Sequence, residues 1–521
     1  LSLALWCVCP NVLAHARLIT TDVPAAALAV GSTYLFWRWL RWPSWRMALV
    51  VGLALGLAEL TKFSLVLLFG LWPLMALARA LQQRDRAGLG RRLAQGGTIL
   101  LLSLLVINLG YGVEGTGTPL GRFVFYSRAL TRDRVPPLPG PEMPFDPFRE
   151  TLKLRVNRFK GTWLESVPVP LPREYVLGFD DQKFEAEGVP QRAWDRAAPV
   201  DAVQGYPVYL DGRLSNGGWW DYYLRALLYK LPEGTWALLL LSLATGIVSA
   251  RARCAWADEV AMLALPAVVL VAISGFTNIA IGVRYVLPML PFLYVSVGRL
   301  VPWAGGMPGR RRRVASAAIG LSLLATAAGS LLVFPHYLAY FNWVSGGPRN
   351  GSKHLIDSNL DWGQDLVGLR RWLDRYAPGE RVGIAYFGQI NPTIFNVREA
   401  PGSVAWLPLA ARPAGVRPAR PALDWYLPPP LPGTMEELPP RYAASIAPPA
   451  PGLYAVSASL LRGLRWRVYD ADRWAPYGAG TGAFSYFARL EPLADIGHSI
   501  LVYRLTPAQA AALRPLWDSP H

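Results

Sequence analysis

Along residues 1–334 long apolar runs alternate with short polar gaps, and beyond them helix-like and strand-like periods mix with Pro-rich stretches. A helix rises about 1.5 Å per residue, so roughly 20 apolar residues cross the hydrocarbon layer. Runs of this kind lie at about 1–14, 23–40, 46–61, 63–79, 93–112, 232–250, 259–276, 284–302 and 314–334, which predicts about nine spans. One gap is unusual. HARLITTDVP (His15–Pro24) places a histidine, an arginine and an aspartate between two greasy runs.

Two long polar segments interrupt the pattern. Residues 113–231 form a Pro- and aromatic-rich loop whose end, YPVYLDGRLSNGGWWDYYLRALLYKLPEGTW, reads as an amphipathic helix at the interface, with Trp219, Trp220, Tyr222 and Tyr223 at headgroup level. Residues 335–521 form a second unit. In it DWGQDLVGLRRWLDRY predicts a helix with Asp361 as N-cap, Gln364 at the reciprocal position and Leu366, Leu369 and Leu373 on one face; Pro378–Gly379 stops it. ERVGIAYFG, GLYAVSASLL and HSILVYRL predict strands, and 407–440 a Pro-rich loop. The chain therefore divides into 1–112 (membrane helices), 113–231 (outer loop), 232–334 (membrane helices) and 335–521 (a small α/β domain).

Arginine sets the orientation. Arg38, Arg41 and Arg46 occupy one gap, and Arg79, Arg84, Arg86, Arg91 and Arg92 another. Arg251 and Arg253 mark a third, Arg310–Arg313 a fourth. With nine spans all four fall on one side, which the positive-inside rule makes cytoplasmic. His15–Asp22, Thr61–Lys62, 113–231, Asn278–Gly282 and everything after about 335 then lie outside, and the chain is expected in the cell (inner) membrane.

Composition agrees: 52% of the 521 residues are hydrophobic and 21 are Trp. The net charge of +17 sits at the ends of apolar runs rather than on a polar domain, and no nucleic-acid-binding motif is visible. Cys7, Cys9 and Cys254 have no metal-type spacing. Asp357, Asp361 and Asp365 fall four apart, but capping accounts for Asp361, and Asp180–Asp181 reads as a solvated pair. A divalent metal is left open but has no support in these spacings, and no cofactor is assigned.

Candidate chemistry gathers at the outer helix ends: His15, Arg17 and Asp22; Glu59 and Lys62; Arg284 and Tyr285; and Lys230. Each has a plain alternative. Arg17 can snorkel, Asp22 can cap a helix ahead of Pro24, Glu59 and Lys62 can pair, and His15 can be a loop polar group. Lysine occurs at only six positions, and two of them are outer span ends, where a compact ammonium suits phosphate. Together these acids and cations fit a surface site for an anionic lipid headgroup and a hydroxyl acceptor.

AHARLITTDVPAAALA followed by ALVVGLALGLAELTKFSLVLL resembles the protein O-mannosyltransferase-like membrane glycosyltransferases (glycosyltransferase family 39 and aminoarabinose transferase relatives, GT-C fold). RYVLPMLPFL fits a late span of such enzymes, and FPHYLAYFN…GG…DSNLDWGQDL looks like a tail without assigned chemistry found in some bacterial members. The resemblance implies a polyprenyl-phosphate sugar donor and a protein, lipid or glycan hydroxyl acceptor. An acid takes the acceptor proton, and cations receive the leaving phosphate. Lys62, Arg284, Tyr285, Lys230 and Arg17 are then the phosphate-binding candidates, with His15 and Glu59 beside them. Asp22 matches the family's acid at the start of this span. The family's principal acid lies in an earlier outer loop, so Asp22 is expected to be the second acid, the first lying upstream of Leu1.

A transporter or lipid flippase is the rival. Such proteins keep ionisable groups near the midplane, whereas the span interiors here are nearly free of charge.

Overall fold

The computed structural model describes residues 1–83, 88–140, 146–193, 195–248, 256–380, 382–388, 416–418, 449–464, 466–469, 476–479 and 482–518. Arg84, Arg86, Arg251, Arg253, Cys254 and most of the 407–440 tract lie outside the described residues.

The first apolar run is broken rather than continuous. Cys9 is extended, and Pro10 opens a second helix, so the run becomes α1 (Ser2–Val8) and α2 (Pro10–Arg17). A bend of 117° separates α2 from α3 (Asp22–Arg41). Next come α4 (Trp45–Thr61), α5 (Leu67–Gln83) and α6 (Leu89–Gly110). The helix α4 runs against α6 because Gly52 and Gly56 remove side chains from the contact. A Cβ on Gly56 would stand 2.5 Å from Val106 Cβ, and one on Gly52 3.0 Å from the Ile99 carbonyl. This is the small-xxx-small spacing by which membrane helices approach closely.

Five helices are long and apolar enough to cross a membrane: Phe63–Gln82, Leu89–Gly110, Trp256–Phe276, Val283–Gly305 and Gly309–Leu332. The number rises to seven if each bent pair, Pro10–Arg17 with Asp22–Arg41 and Tyr222–Lys230 with Glu233–Val248, is one span. The described residues thus give five to seven spans, against nine expected. The difference has local causes: the break at Cys9–Pro10, and the 17-residue length of α4. The chain is a mostly helical, multi-pass membrane protein.

The segment before Glu233 is not one amphipathic helix. Val208–Leu210 and Arg213–Ser215 pair as a hairpin, and only Tyr222–Lys230 is helical. Asp211 and Gly212, both with positive φ, make its two-residue turn, which favours such residues. Within the long loop Asp180 is fully buried rather than solvated. It accepts from the backbone N–H groups of Tyr126 (2.6 Å) and Ser127 (3.2 Å) and from Ser127 Oγ (2.5 Å). Burial raises its pKa, and those three donors oppose the rise.

After the last long helix the chain lies back over the helix ends. Ser358 Oγ donates to the Ile281 carbonyl (2.7 Å), and Asn359 accepts from the Val283 N–H (2.9 Å) while donating to Tyr222 Oη (2.9 Å). The next helix is Leu366–Tyr376, and Asp365, not Asp361, precedes it. Asp361 instead accepts from the Gly363 N–H in a buried turn. Leu366, Leu369 and Leu373 are buried as their spacing predicts. They pack on one face of a four-stranded sheet ordered Ala494–Ile496, Ile500–Leu505, Gly452–Ser457, Val382–Ala385. The last strand runs parallel to its neighbour, and the other neighbours are antiparallel. The sheet's other face carries Tyr454, Val456, Tyr486, Phe487 and Tyr503.

Candidate functional site

The bend between α2 and α3 decides the site. It turns the chain back within four residues, so His15 at the end of α2 faces the start of α3, where Asp22 is the first helical residue and Thr21 the cap position. A carboxylate there meets the positive end of the helix dipole. The turn between α4 and α5 brings Lys62 to the same place, its Nζ 2.6 Å from Asp22 Oδ1. The pair is enclosed, with side-chain exposures of 12% for Lys62 and 3% for Asp22.

Arg284 comes from the opening turn of the span Val283–Gly305. Its guanidinium approaches Asp22 Oδ2 at 4.0 Å and donates to Tyr285 Oη at 3.3 Å. Two aromatic rings lie against it: Tyr285 with its centroid at 5.0 Å and Trp362 at 4.7 Å. The Tyr285 ring also stands 5.3 Å from Lys62 Nζ. Two cations and one aromatic ring therefore surround a single carboxylate. Arg284 Nε, Asp22 Oδ2 and both ring nitrogens of His15 are buried and have no hydrogen-bond partner among the described residues.

Not every expected residue joins this group. Lys230 is fully buried, and its amino group already donates to the Leu338 and Asn359 carbonyls, each at 2.7 Å, with the Phe341 ring at 4.4 Å. That corrects its place among the phosphate ligands: its amino group is fixed inside the protein, with two donors already spent on carbonyls. Arg17 is exposed, donates to the Pro335 carbonyl and lies over Tyr337, so it contacts the chain after the last span. Glu59 does not pair with Lys62. Its Oε2 accepts from Tyr175 Oη at 3.1 Å, which ties the loop helix Arg173–Glu187 to the end of α4.

The sequence alone did not single out Trp362, Asp357, Tyr206 or Tyr175 for the site. Asp357 has a left-handed backbone (φ 58°), accepts from Tyr206 Oη at 2.6 Å and from the Ser358 N–H at 2.5 Å, and is buried. Burial pushes its carboxyl up to about 6, with the Tyr206 and Ser358 hydrogen bonds and the charge of Arg284 pulling the other way. A non-glycine residue held at positive φ costs free energy and clusters at functional sites. An aspartate five residues before a tryptophan in DSNLDW was the only available signal. Among the described residues no three or more His, Cys, Asp or Glu side chains come together as a metal would require.

The group is an enclosed set of one acid and two cations at one end of a bundle of apolar helices. Residues 1–110, which contain His15, Asp22, Glu59 and Lys62, match the family model described as dolichyl-phosphate-mannose-protein mannosyltransferase. The chain is consistent with a member of that GT-C, protein O-mannosyltransferase-like superfamily. No curated protein and no solved structure matches it.

Proposed function

We propose that this protein transfers a sugar from a polyprenyl-phosphate donor to a hydroxyl acceptor, on the face where Asp22, Lys62 and Arg284 meet. The observation that carries the reading is the convergence of two cations, Lys62 and Arg284, on the single enclosed carboxylate of Asp22. Asp22 is bonded to Lys62 and flanked by Arg284, so it holds the cations in place rather than acting as a free base. An ammonium has three N–H donors, and Lys62 uses one on Asp22, leaving the others for the leaving phosphate. Arg284, packed against the rings of Tyr285 and Trp362, supplies a second contact with its guanidinium held in place. We assign His15 and Glu59, each with a buried atom unpartnered among the described residues, to the acceptor side, with the protein, lipid or glycan hydroxyl arriving from the outer face.

The test is turnover of a labelled polyprenyl-phosphate sugar by the full-length protein in vesicles. The Lys62→Ala and Arg284→Ala variants are expected to insert normally and to lose about 100-fold or more of kcat each. Turnover unchanged in both variants removes the assignment.

A further inference from the structure

The opposite end of the same helices holds a second feature, independent of the sugar-transfer reading. Between α3, α4, α5 and α6 lies a partly open crevice of about 520 Å³. Its walls are apolar, including Trp39, Phe69, Trp72, Leu93 and Ile99, with the Phe36 and Trp72 rings stacked at 4.4 Å. From Leu68 to Arg79 it follows α5 for about 16 Å, at 1.5 Å per residue. Gly96 and Gly97 keep the α6 wall open: a Cβ on either would meet nothing within 4 Å.

Two arginines, Arg79 and Arg92, stand among the lining residues. Neither makes an ion pair among the described residues, and Arg79 Nε is buried without a hydrogen-bond partner, its NH1 group going to Gln82. Exposed Trp42 and Trp45 lie at the same end of the helices, the position such rings take at headgroup level. A greasy slot that ends in two guanidiniums without an ion pair among the described residues complements a molecule with an apolar chain and an anionic head. Arginine pockets between membrane helices recognise anionic lipid headgroups in this way.

We propose that this crevice is a binding site for one anionic diacyl phospholipid, its phosphate held by Arg79 and Arg92 and one acyl chain lying against Trp39 and Trp72. The lipid fills the space between α5 and α6 and stabilises the helices that carry Asp22 and Lys62 at their other ends.

The test uses the detergent-purified full chain and two probes with identical acyl chains, phosphatidylglycerol and phosphatidylcholine, read by native mass spectrometry. Wild type is expected to retain phosphatidylglycerol about tenfold more tightly. The double variant Arg79→Gln, Arg92→Gln should lose that preference. Gly97→Leu, which fills the slot in a residue better suited to a helix, should lose both lipids while eluting as the same folded species. Equal retention of the two lipids by wild type overturns the proposal, as does unaltered phosphatidylglycerol binding in Gly97→Leu. Displacement of phosphatidylglycerol by polyprenyl phosphate also overturns it, since the slot would then seat the donor's chain.

Discussion

The pair Asp22–Lys62 allows stability and catalysis to be separated in one experiment. Replacing Lys62 by Met leaves the Asp22 carboxylate almost entirely enclosed, with Arg284 at 4.0 Å as its nearest remaining cation. Breaking a buried pair by removing one partner costs about 3–5 kcal/mol. The residual Arg284 contact puts Lys62→Met near the lower end, about 3 kcal/mol. Changing Asp22 to Asn in the same molecule removes the stranded charge, and stability should return to within about 1–2 kcal/mol of wild type. Catalysis should not return. Without the ammonium the leaving phosphate loses a charged donor, a loss of about 100- to 1,000-fold in kcat. Equilibrium unfolding in detergent reads the first quantity, and turnover of a labelled polyprenyl-phosphate sugar reads the second. A double variant that is stable and still turns over within tenfold of wild type refutes the phosphate role of Lys62. A double variant no more stable than Lys62→Met refutes the account of the buried pair.

Two further outcomes follow from the trailing segment. Trp362→Ala should lower kcat/KM about fivefold to tenfold by removing one of the two rings packed against Arg284, and Trp362→Phe should restore most of it; equal loss in both variants would show that the ring does not hold the guanidinium. Asp357 has a folded-state pKa of about 6, above the ordinary 3.8, so its protonated form fits the fold better. Its contribution is complete below about 3.8 and disappears as pH rises through about 6, on the order of 3 kcal/mol in all. Asp357→Asn, which tolerates the left-handed backbone, should flatten stability between pH 4 and 6; an unchanged slope assigns the titration to another group.

The features that could be read from sequence were those set by local periodicity. The alternation of apolar runs located the helices, and Leu366, Leu369 and Leu373 marked a buried face because their spacing needs no knowledge of the partner. The three strands in the trailing part were legible for the same reason. Asp22, Lys62 and Arg284 stood out as charges at the ends of apolar runs, but which of them touch depends on a 117° bend and two turns that periodicity does not encode. Lys230 and Arg17 looked equivalent to Lys62 in sequence. Backbone carbonyls from more than 100 residues away in the chain separate them, because each of the two is already engaged by that chain. Asp180 looked solvated because its three donors lie 53 and 54 residues earlier. Trp362 was invisible since nothing before the fold says that DSNLDW lies across the mouth of Val283–Gly305.

The buried amino group of Lys230 also limits how the protein can be dissected. Its two carbonyl partners, Leu338 and Asn359, belong to the stretch that a truncation at the last long helix would discard. Such a shortened chain would leave a buried amine without its two acceptors, and its failure would report misassembly, not a missing activity. Point substitutions at Trp362 or Asp357 interrogate that stretch without withdrawing the scaffold beneath it.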